Sequence, residues 1–269
     1  SHMRGHLADM DALGDLLARH EVSLIEDCAH TMGAAWGERP SGRFGVAGCF
    51  STQTYKHINA GEGGLLVSDN PALMARAVVL SGSYMLYERH AAAPPATAFK
   101  DIRLDTPNMS GRMDELRAAI LRGQLASLAE NAARWNARYQ TVAAGLAGVA
   151  GLRLPIRPPR EHFVGSSLQF LCPDLDSTGA GDFLARCRQR GVELKWFGAA
   201  EPMAYTSHHD HWRYVAHQDL PRSDAVLAVL FDMRLPLTFS LDDCRLIARI
   251  IGESLDACRA SRPVVSTTR

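Results

Sequence analysis

Short apolar segments alternate with helical patterns along the first part of the chain. A helical repeat over residues 8–20 is followed by the apolar run 22–25, and two further apolar runs occupy residues 46–50 and 65–68. A second helical pattern begins at Pro71, since proline is well placed in the first turn of a helix. Buried strands that alternate with helices predict an α/β layer on a largely parallel sheet.

The second half of the chain is organised differently. One helical pattern of unusual length covers residues 112–146, and prolines interrupt the chain between residues 155 and 159. We expect a boundary near residue 150, with a larger domain and its bridging helix over residues 1–150 and a smaller α+β domain over residues 151–269. In the smaller domain the patterns predict strands at 166–171 and 192–196 and helices at 179–190 and 241–258.

Charge and cysteine content exclude several classes of protein. The 29 basic residues balance 29 acidic ones, so the chain has no general attraction for nucleic acid or for an anionic membrane. No apolar run approaches the roughly 20 residues that cross a bilayer. The six cysteines form no CxxC pair, a pattern typical of reduced thiols rather than of a disulfide framework. We therefore expect a soluble, globular protein of the cytoplasm.

One lysine stands in an unusual place. Arginine supplies nearly all the basic residues, and the lysines are Lys56, Lys100 and Lys195. Lys56 lies in a polar turn between the second predicted strand and a glycine-rich turn at residues 61–64. A lysine between buried strands can lose solvation, which favours its neutral, nucleophilic amine.

Other polar groups gather at the predicted strand ends. Asp27 follows the first strand, and Ser51 and Gln53 follow the second, at the edge where ligands bind in open α/β sheets. A carboxylate suits a protonated pyridine nitrogen, a hydroxyl suits a phosphate, and Lys56 supplies the amine, so the set indicates pyridoxal phosphate. A purely structural ion pair between Lys56 and Asp27 would explain the same residues, and the pattern alone leaves both interpretations open.

Four motifs then follow one another in a specific order. They read LIEDCAH at residues 24–30, SGRFG at 41–45, CFSTQTYK at 49–56 and GEGG at 61–64. Together they closely resemble the DegT/StrS-type (DegT/DnrJ/StrS) sugar aminotransferases, and the resemblance covers most of the chain. It implies the fold-type I architecture and pyridoxal 5'-phosphate as cofactor.

The resemblance also implies a role for each matching residue. Lys56 matches the lysine that binds the cofactor covalently and moves the proton in catalysis, and Asp27 matches the partner of the pyridinium nitrogen. His30 matches a position near the ring hydroxyl, and Ser51 matches the hydroxyl that holds the phosphate. Gln53 occupies a position often held by histidine, which leaves its role less defined.

Family resemblance further implies a homodimer with shared active sites. In relatives an asparagine of the partner subunit touches the phosphate, but Ser110 stands at that position here, and Asn108 is a substitute two residues upstream. A related branch replaces the lysine with histidine and performs dehydration. Lys56 argues against that branch, although His57 is its neighbour.

Two functional hypotheses follow. The first is an aminotransferase that moves an amino group from glutamate or glutamine to a keto-sugar, which we expect to be nucleotide-linked, or to a keto-cyclitol. The second is an incomplete or non-catalytic module of such an enzyme. The first segment resembles the stretch just before the Asp27 strand. We therefore expect that the N-terminal half of the large domain, either preceding Ser1 or provided by a second polypeptide, supplies part of the cofactor site. The keto-substrate, the amino donor and the stereochemistry stay open.

A cluster of histidines in the second half falls outside these motifs. His208, His209, His211 and His217 surround Asp210, but no cysteine or glutamate accompanies them at zinc-finger spacing. We expect no metal, and a role in the sugar pocket or at the dimer rim instead. The sequence does not decide between these roles.

Overall fold

The computed structural model describes residues 1–82, 85, 87, 90–201 and 208–260. The chain divides into two compact units: unit 1 comprises Ser1–Ala133 with Pro158–Val164, and unit 2 comprises Arg134–Arg157 with Gly165–Arg269. The division expected near residue 150 stays a prediction. Within the described residues, every helix is too short or too polar to cross a lipid bilayer.

The helices and strands follow in chain order. The helices are α1 (Met10–Arg19), α2 (Pro71–Ser81), α3 (Ile102–Asp105), α4 (Glu115–Ala126), α5 (Leu128–Leu146), α6 (Ser177–Gln189), α7 (Pro221–Leu227) and α8 (Leu241–Ala260). The strands are β1 (Ile25–Asp27), β2 (Ala35–Trp36), β3 (Arg39–Pro40), β4 (Ala47–Ser51), β5 (Gly64–Val67), β6 (Glu161–His162), β7 (Ser167–Leu171), β8 (Lys195–Trp196) and β9 (Leu230–Arg234). Short 3₁₀ turns cover Ala96–Phe99 and His209–His211.

The sheet of unit 1 that carries the sequence motifs has the order β1-β4-β5. β1 and β4 are parallel, with Asp27 opposite Cys49, whereas β4 and β5 are antiparallel, with Ser51 opposite Gly64. The expectation of a largely parallel sheet is therefore wrong for β5. A parallel pair needs a crossover connection, usually a helix, but only the turn with Lys56 separates β4 from β5.

The first strand begins later than its apolar run predicts. The apolar run starts at Val22, but the strand covers Ile25–Asp27, and the side chain of Ile25 is 63% exposed whereas Glu26 is 2% exposed. The buried residue of this strand is thus a carboxylate. Its partners explain why this is tolerated.

Glu26 organises the loop that precedes β4. Its carboxylate accepts hydrogen bonds from the backbone amides of Gly42 (2.9 Å), Phe44 (2.5 Å) and Gly45 (3.0 Å), and it lies 3.3 Å from Nε2 of His2. Burial alone would raise the pKa of Glu26, but these hydrogen bonds outweigh it and hold the pKa below its usual value. The ionised carboxylate therefore fixes the loop to β1.

The long helix predicted over residues 112–146 is two helices. α4 begins after Asp114, whose side chain accepts from the amide of Arg117, and ends at Ser127. The amide of Ser127 donates to the carbonyls of Gln124 and Leu125, which tightens the last turn, and α5 starts at the next residue. A hydrophobic repeat continues through this break, so the pattern alone cannot reveal it.

Unit 2 contains an antiparallel sheet of order β7-β9-β8. The aromatic rings of Phe170, Phe183 and Phe231 are fully buried and contact one another, with ring centroids 5.3–6.4 Å apart. Helix α6 begins two residues before its predicted start because Asp176 caps it by accepting from the amide of Gly179. A sheet with packed helices agrees with the expected α+β character of this part.

Candidate active site

The amine of Lys56 lies beside an imidazole from a different motif. Its Nζ atom is 3.0 Å from Nε2 of His30, although 26 positions separate the two residues in the chain. The backbone of Lys56 is held by a turn in which its amide donates to the carbonyl of Gln53 at 2.9 Å. The side chains of Lys56 and His30 are both half-buried.

Two strand ends place further polar groups at the same edge of the sheet. β1 ends at Asp27 and the parallel strand β4 ends at Ser51, so both side chains follow the carboxyl ends of neighbouring strands. The Asp27 carboxylate accepts from the hydroxyl of Ser1 at 2.5 Å and from the amide of Ala29 at 3.1 Å. These bonds, the first above all, hold the pKa of Asp27 below its usual value. Asp27 is therefore an ionised carboxylate.

Hydrogen bonds shape the segment that leads from β4 to Lys56. The hydroxyl oxygen of Ser51 accepts from the amide of Gln53 at 3.2 Å, and the side-chain oxygen of Gln53 accepts from the amide of Tyr55 at 3.3 Å. Ser51 uses its oxygen as an acceptor in this contact, so its own O–H remains available to donate. Gln53 contributes to the turn through its own side chain.

The glycine-rich turn closes the loop around Lys56. The amide of Thr52 donates to the carbonyl of Gly63 at 2.9 Å, and the amide of Thr54 donates to the carbonyl of Gly61 at 3.0 Å. Gly63 has a φ of +133°, and a Cβ atom there would lie 2.7 Å from Oγ1 of the fully buried Thr52. Both the backbone conformation and the space therefore require glycine at position 63.

His57, the residue that follows Lys56, is buried. Burial above all, together with the nearby charges of His30 and Lys56, lowers the pKa of His57 to about 4. At neutral pH the imidazole of His57 therefore carries no charge. In the sequence His57 stands out only as the neighbour of Lys56, and one lone histidine does not reveal its burial.

The side-chain amide of Gln124 holds the backbone at the end of the Lys56 turn. Gln124 of α4 accepts from the amide of Asn59 at 3.0 Å and donates to the carbonyl of Asn59 at 2.7 Å. This two-point contact joins positions that are 65 residues apart. No motif marks Gln124, so sequence reasoning missed it.

Asn108 and Ser110 belong to the loop after α3, and they pack next to Gly82 at the C-terminal end of helix α2. Oδ1 of Asn108 accepts from the amide of Ser110 at 2.8 Å, and a Cβ atom on Gly82 would lie 3.0 Å from the same Oδ1. Ser110 has a φ of +51°, a conformation that is uncommon for a residue with a side chain. The contacts of these two residues are with each other and with the end of α2, whereas Lys56 contacts His30.

The histidine cluster of the second half lies in unit 2. The imidazoles of His208 and His209 meet the carboxylates of Asp210 and Asp224. Asp224 was not among the residues that the sequence singled out.

Comparison with known protein families decides the identity of the fold. The model of the DegT/DnrJ/EryC1/StrS aminotransferase family matches residues 1–251. The chain belongs to this family. The DegT/DnrJ/EryC1/StrS aminotransferases use pyridoxal phosphate and have the fold-type I architecture, so the resemblance inferred from the four motifs is confirmed.

Named relatives share the segment with the motifs. The L-glutamine:2-deoxy-scyllo-inosose aminotransferase of Micromonospora echinospora is 35% identical over 162 residues, which are 59% of this chain and 37% of the relative. The dTDP-3-amino-3,4,6-trideoxy-alpha-D-glucose transaminase of Streptomyces venezuelae is 34% identical over 165 residues, 59% of this chain and 38% of the relative. The chain thus spans less than half the length of these relatives.

Solved structures show the same fold over nearly the whole chain. Helicobacter pylori PseC, an aminotransferase involved in the biosynthesis of pseudoaminic acid, aligns with a TM-score of 0.77 at 14% identity. The alignment covers 95% of this chain and 65% of PseC. The architecture is therefore that of the family, although few residues are identical in this pair.

The residues at the site suit pyridoxal phosphate. The cofactor needs an amine, an anionic partner for its ring nitrogen and a donor for its phosphate. Lys56, the ionised Asp27 and the O–H of Ser51 are groups of these three kinds, brought together by adjacent strand ends and the turn that follows them. The donor set of this structure therefore fits the group that the family uses.

Proposed function

We propose that this protein is a pyridoxal phosphate-dependent aminotransferase that moves an amino group from glutamine or glutamate to a keto-sugar or keto-cyclitol. The observation that carries this proposal is the 3.0 Å contact between Nζ of Lys56 and Nε2 of His30 beside the strand end of Asp27. This contact supports the proposal because the lysine comes from one motif and the imidazole and carboxylate come from another, and both motifs end strands at one edge of the sheet.

The substrate class rests on the names of relatives. One relative aminates a keto-cyclitol with L-glutamine as donor, and another is a transaminase of a dTDP-linked sugar. Both are aminotransferases, which favours the catalytic hypothesis over a non-catalytic module. For this chain, both a keto-cyclitol and a nucleotide-linked keto-sugar are kept as acceptor classes.

Lys56 has the central role in this proposal. Its amine would hold the cofactor covalently, and the same nitrogen would carry the proton between two carbon atoms as general base and then general acid. Pyridoxal phosphate, when bound, supplies the electron sink for the carbon that loses its proton. His30, 3.0 Å from Nζ, orients the amine of Lys56 and shares its proton.

Asp27 and Ser51 would anchor opposite ends of the cofactor. Asp27 stays ionised because of the hydrogen bonds described above, so it can pair with a protonated ring nitrogen. Ser51 would donate its O–H to a phosphate oxygen. The side chain of Gln53 accepts a hydrogen bond from the amide of Tyr55. Gln53 would therefore affect the cofactor site indirectly, because it helps to fix the backbone that carries Lys56.

The assembly is also part of the proposal. We propose a cytoplasmic homodimer in which Asn108 or Ser110 of one subunit completes the phosphate site of the other. All six cysteines are unpaired thiols and five of them are buried, which supports a reducing compartment. Apolar side chains near Asn108 and Ser110 are exposed, including Met109 (72% exposed) and Leu116 (73% exposed). Their exposure in the single chain supports the proposal that a second subunit covers this surface.

An isotope-transfer assay tests the proposal. The protein is loaded with pyridoxal phosphate and given L-glutamine or L-glutamate labelled with ¹⁵N at the α-amino group, together with 2-deoxy-scyllo-inosose or a dTDP-linked keto-hexose. We expect a ¹⁵N-labelled amine product from one acceptor class and none with Lys56→Ala. If cofactor-loaded protein labels neither acceptor class with either donor, the proposed function is wrong.

A further inference from the structure

A second group of imidazoles and carboxylates lies in unit 2, outside the cofactor site. Nε2 of His208 and Nε2 of His209 lie 3.3 Å and 2.6 Å from the same oxygen, Oδ1 of Asp224 in helix α7. One ligand atom from each of the three side chains lies within 4.8 Å of the other two. Two imidazole nitrogens and one carboxylate oxygen thus converge.

A second carboxylate faces the other nitrogens of the same rings. Nδ1 of His208 is 3.4 Å from one oxygen of Asp210, and Nδ1 of His209 is 3.3 Å from the other. The two rings stack with centroids 4.5 Å apart, which keeps them in one orientation. Each imidazole therefore lies between two carboxylates.

Two hydrogen bonds hold the rings in the described structure. Nε2 of His209 is hydrogen-bonded to Oδ1 of Asp224 at 2.6 Å, and the amide of Asp210 donates to Nδ1 of His208 at 3.3 Å. A cation bound at Nε2 of His208 requires the ring proton on Nδ1. The amide contact would then give way to a hydrogen bond with the Asp210 carboxylate, which lies 3.4 Å away.

We propose that Nε2 of His208, Nε2 of His209 and Oδ1 of Asp224 bind a divalent cation of the zinc type. Ligands of a tetrahedral zinc ion with bonds of about 2.0–2.1 Å lie about 3.3 Å apart. The separation of His208 Nε2 from Asp224 Oδ1 has this value, whereas that of His209 Nε2 from the same oxygen is 2.6 Å and would widen by about 0.7 Å.

Asp210 has the position of an outer carboxylate in such a site. Imidazoles that bind zinc usually donate their other N–H to a carboxylate or carbonyl, which fixes the tautomer and the ring orientation. Asp210 faces Nδ1 of both rings. The side chain of Asp224 is 39% exposed, so the fourth position is open to water or to an oxygen of a small molecule.

Calorimetric titration tests this proposal. The chain is treated with a chelator, dialysed, and titrated with Zn²⁺ at about pH 8. We expect one equivalent of Zn²⁺ to bind. His209→Ala and Asp224→Asn should each weaken the affinity at least tenfold, and Asp210→Asn should weaken it about 10–100-fold.

Two matched controls and a second readout complete the test. His20→Ala removes an exposed histidine at the end of α1, and Cys49→Ser removes the exposed thiol, so neither should change the affinity. Zn²⁺ should also raise the unfolding temperature of the wild type and of both controls, but not that of Asp224→Asn. No stoichiometric binding by the wild type, or equal binding by the double variant His209→Ala/Asp224→Asn, would overturn the proposal.

Discussion

Nζ of Lys56 and Nε2 of His30 lie 3.0 Å apart, at the carboxyl ends of two neighbouring parallel strands. His30 follows β1 by three residues and Lys56 follows β4 by five, so the parallel pairing of these strands brings the two loops together. A hydrogen bond between them orients the amine before any cofactor is present. The proposed role of Lys56 in catalysis depends on this contact.

Replacement of His30 tests the role of that contact. A hydrogen bond to a charged group contributes about 1.5–3 kcal/mol, so we expect His30→Ala to lower kcat about 10–100-fold. Steady-state kinetics across a pH series should also show a changed pH profile, because the partner of the Lys56 amine is gone. The exposed residue His20 offers a matched control, and His20→Ala should leave both kcat and the profile unchanged. A wild-type profile for His30→Ala would contradict the assignment.

Asp27→Asn should impair turnover more than cofactor binding. The amide cannot keep a ring nitrogen protonated, but Lys56 and Ser51 retain their own contacts. A pKa change of one unit corresponds to roughly 1.4 kcal/mol, and we expect kcat to fall by well over tenfold while the affinity for pyridoxal phosphate changes by less. Fluorescence titration of the cofactor and initial-rate assays measure the two effects. Turnover within about threefold of the wild type would refute the role of Asp27.

The lowered pKa of Glu26 predicts that the folded chain loses stability in acid. Its pKa is lower in the folded chain than the ordinary value of 4.5, so its contribution is present above that value and is lost as the pH falls through the folded-state pKa. Glu26→Gln should cost about 2–4 kcal/mol at neutral pH and flatten the pH dependence below about 4.5. Urea unfolding at several pH values measures this.

The control for Glu26 is an exposed carboxylate of the same unit. Glu38 is exposed, so Glu38→Gln should change the free energy of unfolding by less than about 0.5 kcal/mol. Equal effects of the two substitutions at neutral pH would show that the three amide contacts of Glu26 do not stabilise the fold.

Gln124→Ala tests whether α4 positions the Lys56 turn. The substitution removes both hydrogen bonds to Asn59, so we expect a loss of about 1–2 kcal/mol of stability and a lower kcat with little change in KM. Gln140 of α5 is exposed and serves as the control through Gln140→Ala. If Gln124→Ala lowers the free energy of unfolding but leaves kcat at the wild-type value, the contact between Gln124 and Asn59 stabilises the fold and does not position Lys56 for catalysis.

Local patterns located the strand ends and the polar residues that follow them. Asp27 and Ser51 lie at the ends of β1 and β4 because a polar residue after a short apolar run terminates a buried strand. The same reasoning singled out Lys56 by its place between this strand and the glycine turn. These features depend on neighbours in the chain, so one sequence suffices to find them.

Contacts between residues that are distant in the sequence cannot be predicted from local patterns. The break at Ser127 and the burial of Glu26 each depend on backbone geometry or on partners that are distant in the sequence. The pairing of Gln124 with Asn59 spans 65 positions and leaves no local pattern. Asp224 likewise joins the histidine cluster only through the fold of unit 2.

The most direct test of the central claim is to trap the cofactor on the chain. Protein loaded with pyridoxal phosphate is reduced with sodium borohydride, digested, and mapped by mass spectrometry for the peptide that carries the cofactor mass. Our account predicts a label on Lys56, and none in the Lys56→Ala variant. A label on Lys100 or Lys195, or labelling that persists unchanged in Lys56→Ala, would contradict it.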